Sequence, residues 1–214
     1  MLEVRGLSAG YGRARVLFDI DLEVRGGEVV ALLGRNGAGK STTLKAIMGL
    51  VPPSAGEVVF DGRSLRHLEP YQVARLGLGY VPEDRRIFTD LTVAENLEVG
   101  RQPPRAAAPV WTEQKLFELF PALAGLRGRR GSRMSGGEQQ MLCIARTLAG
   151  NPAAILMDEP SEGLAPVVVE QVARAIVELK RSGVAVLLAE QSAHFTARVA
   201  DRTYLLETGI IRSP

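Results

Sequence analysis

The 214-residue sequence predicts an α/β fold: a mainly parallel sheet core, an antiparallel β subdomain and a helical subdomain. Three observations carry that prediction. Two continuous apolar runs, Ala153 to Met157 and Val184 to Ala189, have the pattern of parallel strands covered on both faces. A third run, Val29 to Leu33, leads straight into a glycine-rich octet and then a helical stretch from Ser41 to Met48. Between these runs, residues 92–150 change to helical patterning.

The elements follow in order. Phe18, Ile20, Leu22 and Val24 alternate with Asp19, Asp21 and Glu23, which predicts a half-exposed strand ending at Gly26-Gly27. Val58-Val59-Phe60 runs into Asp61-Gly62, a hairpin signal. Gly77 to Pro82 reads as another strand. Thr92 and Glu95 form a capping box that opens the helical stretch, and Pro103-Pro104 through Pro109 reads as a loop. Val168, Gln171-Val172, Ala175-Ile176 and Leu179 give a helix stripe that stops at Gly183. Tyr204-Leu205-Leu206 before Thr208-Gly209 predicts a closing hairpin. The layout is a single domain, with residues 1–83 and 151–214 as core and β subdomain and 84–150 as a helical insertion.

Composition excludes several classes. Hydrophobic content is 46%, ordinary for a globular protein. The apolar runs are far too short to span a bilayer, and no basic start followed by an apolar segment marks a signal peptide. Cys143 stands alone, which rules out an internal disulfide and fits a reducing compartment such as the cytosol. A net charge of +2 argues against a nucleic-acid binder held by electrostatics.

Three motifs carry chemistry. The octet Gly34-Arg35-Asn36-Gly37-Ala38-Gly39-Lys40-Ser41 fits a phosphate-binding loop. Its glycines let backbone N–H groups point inward at phosphate oxygens, and the following helix adds its positive end. Lys40 is expected to reach the β- and γ-phosphates and Ser41 to ligate Mg²⁺. The second motif is Ile155-Leu156-Met157-Asp158-Glu159-Pro160. Asp158 ends a buried strand, where a carboxylate can hold Mg²⁺, and Glu159 can accept a proton from an attacking water. The third is Ser135-Gly136-Gly137-Glu138-Gln139-Gln140, opening a helix. Two glycines weaken a helix start but bare its N–H groups to an anion.

Together these motifs resemble the nucleotide-binding subunit of an ABC transporter, over nearly the whole chain. The octet corresponds to Walker A, Ile155–Glu159 to Walker B, and Met134–Gln140 to the signature, with Met134 where leucine is usual. Ser161 to Ala165 resembles the D-loop, and Tyr11 the aromatic that stacks on adenine. The resemblance implies an ATPase using ATP and Mg²⁺, with Tyr11, Gly34 to Thr42 and Ser135 to Glu138 binding nucleotide. It implies two ATPase subunits, this chain twice or this chain with a sister chain, paired head to tail, so that Ser135 acts on the ATP of the partner. It also implies membrane permease subunits, a substrate-binding protein met indirectly, and a place at the cytoplasmic face of the membrane.

Two positions depart from the general family. Glu83 stands where a glutamine normally links Mg²⁺ to the membrane subunit, and Gln191 where a histidine normally touches the γ-phosphate. His194 is out of register for that histidine. These departures, with the strings Val81 to Phe88, Leu91 to Leu97, Ser161 to Pro166 and Leu205 to Gly209, are similar to one ATPase subunit of the branched-chain amino-acid uptake system. In such relatives a further helix is expected beyond Thr208-Gly209. Ile87, Phe88 and Leu91 are expected to line a groove for a short helix of a membrane subunit. A soluble ABC ATPase acting on ribosomes or DNA is the alternative. One motif set, with about 95 residues between Lys40 and Ser135, leaves no room for a coiled coil.

Overall fold

The computed structural model describes residues 1–106 and 108–212. Ala107, inside the expected proline loop, and residues 213–214, assigned above to the core, lie outside the described residues. Two sheets organise the chain. The smaller is antiparallel, in the order β2 (Ala14–Val24), β1 (Leu2–Tyr11), β4 (Pro53–Phe60), β5 (Arg63–Ser64). The larger has six strands: β10 (Ile210–Arg212), β9 (Arg202–Glu207), β3 (Val29–Leu33), β8 (Ala185–Glu190), β7 (Ala154–Asp158) and β6 (Leu78–Val81). Only β10 runs antiparallel, closing the expected hairpin at Thr208-Gly209.

The apolar runs become central strands because both faces are covered. In β7, Leu156 faces one core while Ile155 and Met157 face the other. In β8, Leu187 and Ala189 point to the first core and Val186 and Leu188 to the second. The first core holds α1 (Lys40–Ile47) and the small sheet; Leu44, Ile47, Leu17 and Phe60 belong to it. The second core gathers helices: α3 (Val93–Gly100), α4 (Glu113–Leu119), α5 (Pro121–Ala124), α6 (Gly136–Ala149), α7 (Pro166–Arg181) and α8 (Ala193–Val199). The helix α2 (Pro70–Leu76) precedes β6. Neither β1 nor α2 was legible in the sequence pattern.

Caps follow the sequence. Thr92 begins α3 and Ser135 begins α6, each through a reciprocal capping box with Glu95 and Glu138. The α7 stripe buries Val172, Ala175, Ile176 and Leu179, as its spacing predicts, while Val168 and Gln171 are half-buried.

One register expectation is corrected. Phe18 does not face inward; it is exposed, and Leu17 takes the core position beside Ile20. Asp19 adopts φ 55 and the β1–β2 pairing shifts between Leu7↔Ile20 and Ala9↔Leu17. An extra residue at a bulge moves the preceding side chains to the opposite face.

Candidate active site

Because β3, β6, β7 and β8 run parallel, their carboxyl ends meet along one edge of the sheet, where ligands of such sheets bind. That edge brings together the loop after β3, Glu83 after β6, Asp158 and Glu159 at β7, and Glu190 and Gln191 at β8. A cleft of ≈ 460 Å³ opens there, lined by Val16, Asn36, Gly37, Gly39, Lys40, Ser41, Thr42, Glu83 and Glu159.

The loop is held in shape by distant chain. Gly39 caps α1 with φ 110, a conformation that glycine adopts without strain. The Gly209 N–H donates to Ala38 O at 2.9 Å, and Phe18 N–H to Gly209 O at 2.8 Å, so the β9–β10 turn buttresses the loop from outside.

Lys40 is buried, and three oxygens surround its ammonium. It bonds Gly34 O at 2.9 Å and Arg35 O at 3.1 Å, and it pairs with Glu159 Oε1 at 2.9 Å. Glu159 reaches it from a left-handed backbone, φ 45, sparsely populated for residues other than glycine. Its N–H donates to Ala189 O at 2.9 Å, which fixes the strained turn to β8.

Asp158 is buried at the end of β7. Ser41 Oγ donates to Asp158 Oδ1 at 2.8 Å and Tyr80 OH to Oδ2 at 3.2 Å. Burial raises the Asp158 carboxyl above its ordinary value, and the two hydrogen bonds only partly oppose that. Burial, and next the Asp158 charge, also hold the Tyr80 phenol well above its usual range. Among the described residues no group of three His, Cys, Asp or Glu side chains could hold a metal by itself. Ser41 and Asp158, with Glu83 facing the same cleft, form a hard oxygen set. Such a set suits Mg²⁺, which takes few protein oxygens and completes its shell with phosphate and water.

A second hollow of ≈ 390 Å³ adjoins the first through Glu159 and is lined by Glu162, Glu190, Gln191 and His194, among others. Gln191 and His194 are both exposed there. Glu190 is buried and organises the wall: it accepts from Ser161 Oγ at 2.6 Å, Ser161 N at 3.2 Å and Gln191 N at 3.1 Å. Glu162 hydrogen-bonds Glu159, and that bond and the Glu159 charge push its carboxyl up to about 7.

The structure therefore gathers Asn36, Gly37, Gly39 to Thr42, Glu83 and Glu159 around one cleft, with Ala38 buried behind it, Asp158 bonded to Ser41 beside it and Gln191 in the adjoining hollow. Arg35 contributes its carbonyl to Lys40 and keeps an exposed side chain. Tyr11 lies 50% exposed at the end of β1, beside the turn into β2, and is not among the cleft's lining residues; Val16 is. Ser135 to Glu138 cap α6 and line neither hollow. Tyr80, Glu162 and Glu190 escaped the sequence reading. Only the position of Glu190 at the end of an apolar strand gave a signal.

The ABC transporter family pattern matches residues 17–162. This chain belongs to the ABC transporter family. The chain is 42% identical to the high-affinity branched-chain amino acid transport ATP-binding protein BraG of Pseudomonas aeruginosa, covering 99% of this chain and 91% of BraG. It is 36% identical to the lipopolysaccharide export system ATP-binding protein LptB of Haemophilus influenzae, covering 99% and 88%. Among solved structures it resembles an ATP-binding subunit of an ABC transporter, at 31% identity and a TM-score of 0.85, covering 100% of this chain and 88% of that one. The chain is thus an ABC ATPase, an ATP-binding transporter subunit that hydrolyses ATP. Among the described residues no helix is long and apolar enough to cross a membrane.

Proposed function

We propose that this ABC ATPase powers an importer of branched-chain or other hydrophobic amino acids, working as two copies beneath membrane permease subunits at the cytoplasmic face. The observation behind the cargo is the BraG similarity across nearly the full length. The pairing is what the family resemblance implies, and the cleft is consistent with it. The cleft with Lys40, Ser41, Glu83 and Glu159 is lined by no signature residue. Ser135, Gly136, Gly137 and Glu138 then serve the nucleotide of the second copy.

In this reading the loop Gly34 to Thr42, through the N–H groups not already bonded within the protein as those of Gly34 and Ala38 are, and the Lys40 ammonium hold the phosphates of ATP, and Tyr11 stacks on adenine. Mg²⁺, held by Ser41, Asp158 and Glu83 with phosphate oxygens, supplies charge neutralisation on the triphosphate. Glu159 takes the proton of the attacking water, and Gln191 contacts the γ-phosphate through its amide. Residues 84–150 act as the helical subdomain that carries the signature, against a core of 1–83 and 151–214. A substrate-binding protein delivers the cargo to the permease.

The experiment is uptake of labelled leucine into proteoliposomes holding the ATPase and its cognate permease. ATP-dependent uptake, lost in Glu159→Gln, supports the reading. The LptB similarity favours a second reading, lipopolysaccharide export. Extraction of lipopolysaccharide in place of leucine uptake would establish that one.

A further inference from the structure

The segment from Pro82 to Phe88 links the two ends of the chemistry. Glu83 lines the nucleotide cleft beside Lys40. Two residues on, the Arg85 guanidinium lies close beside Gly136 of the signature segment. A Cβ at Gly136 would stand 2.7 Å from Arg85 Nη1 and 3.4 Å from Cζ, so a larger residue there would push the guanidinium aside.

The loop is built to hold Arg85 there. Arg85 and Arg86 both take left-handed backbone, φ 62 and 46, which survives in such residues only where the surroundings impose it. Arg85 N–H donates to Pro82 O at 3.1 Å and Arg86 N–H to Asp84 O at 2.7 Å. From α6, Arg146 donates to Arg86 O at 2.7 Å and lies 4.9 Å over the Phe88 ring. The two neighbouring arginines are then used differently. Arg86 pairs with Asp84 at 2.8 Å. Among the described residues the guanidinium of the half-buried Arg85 has no carboxylate at ion-pair distance and no hydrogen-bond acceptor. It faces the start of α6, the positive end of that helix, where a cation alone is disfavoured.

We propose that Arg85 is a further catalytic residue acting across the dimer, its guanidinium contacting phosphate oxygens of the ATP held in the cleft of the second copy. This rests on the head-to-tail reading above. A planar guanidinium matches phosphate oxygens in pairs, and an anion placed between Arg85 and the α6 amides answers both unpaired charges. One short loop then serves two nucleotides, Glu83 the subunit's own and Arg85 its partner's.

Arg85→Ala should leave the subunit's affinity for a fluorescent ADP analogue unchanged and lower kcat roughly 10²–10³-fold, the scale of one lost electrostatic contact in the transition state. Arg85→Lys should recover part of that loss. Arg85→Ala mixed with Lys40→Ala should regain ATPase activity that neither variant has alone, because the mixed pair contains one site intact on both sides. Ser135→Arg mixed with Lys40→Ala tests the pairing itself. Recovery with Ser135→Arg but not with Arg85→Ala overturns the role of Arg85 and leaves the pairing standing. Recovery in neither mixture overturns the pairing. An Arg85→Ala enzyme with unchanged kcat also ends the proposal.

Discussion

Lys40 Nζ and Glu159 Oε1 stand 2.9 Å apart, both buried, so the cation that meets phosphate is already paired with the carboxylate proposed as general base. Lys40 already makes two hydrogen bonds besides this ion pair, and a phosphate oxygen competes with those partners. The two side chains are coupled, and their variants should separate binding from chemistry.

Glu159→Gln should keep ATP binding and lose about 10²–10⁴-fold in turnover, the range for a lost general base. With Mg-ATP it should accumulate as a dimer on size-exclusion chromatography. Lys40→Ala should weaken nucleotide binding itself, since it removes a charge-assisted contact, and should leave a buried Glu159 without its cation. A Glu159→Gln enzyme that stays monomeric and turns over normally would remove Glu159 from the mechanism.

Gln191 carries no titrating proton near neutrality. Replacing it with histidine should add an inflection near ~6.5 to the pH–rate profile, on top of any contribution from Glu162, which is present in both enzymes. Identical profiles and rates would place position 191 away from the reacting phosphate, despite the hollow it shares with Glu159.

Arg202 forks onto Glu28, Nε to Oε1 at 2.6 Å and Nη2 to Oε2 at 3.1 Å, tying β9 to the turn before β3. That hydrogen-bonded guanidinium holds the Glu28 carboxyl below its ordinary value. The folded-state value is thus depressed, so the stabilisation is present above the unfolded value near ~4.3 and is lost as pH falls through the folded value. Arg202→Ala should lower Tm at pH 7 by about 2–4 °C, the effect of ~1 kcal/mol on a chain this long, modest because the pair is partly screened by water. The gap between the two melting curves should narrow below about pH 4. A gap that stays constant down to about pH 3 would rule out this linkage.

Phe88 is exposed, and its backbone is pinned by Asn96, whose side chain accepts from Phe88 N at 2.9 Å and donates to Phe88 O at 3.0 Å. Ile87 and Leu91 beside it are half-buried. A fixed backbone presenting an exposed aromatic suits a docking contact with a permease helix. Cysteines at position 88 and in the permease cytoplasmic loops should cross-link, with a yield that changes with nucleotide. An intact complex that cross-links in no state would move the docking surface elsewhere.

Much of this architecture was legible because it is local. Continuous apolar runs mark strands buried on both faces, and β7 and β8 are such strands. The glycine spacing before Lys40 marks a phosphate loop because backbone geometry demands it there. Thr92 with Glu95 and Ser135 with Glu138 mark helix starts, since a capping box closes within four residues. The motif set also fixed the family. What the sequence left open is what long-range packing sets. The order β3-β8-β7-β6 is not the chain order, so the pairing of Lys40 with Glu159 and of Tyr80 with Asp158 exists only once the sheet is assembled. The bulge at Asp19 exchanged Phe18 for Leu17 because cross-strand register outweighed the period of the pattern. Nothing local singles out Arg85 among Glu83, Asp84 and Arg86; two left-handed residues bring it against Gly136. Hydrogen bonds within a turn are decided by neighbours in sequence. The meeting of buried charges is decided by which strands share an edge, and that choice belongs to the whole chain.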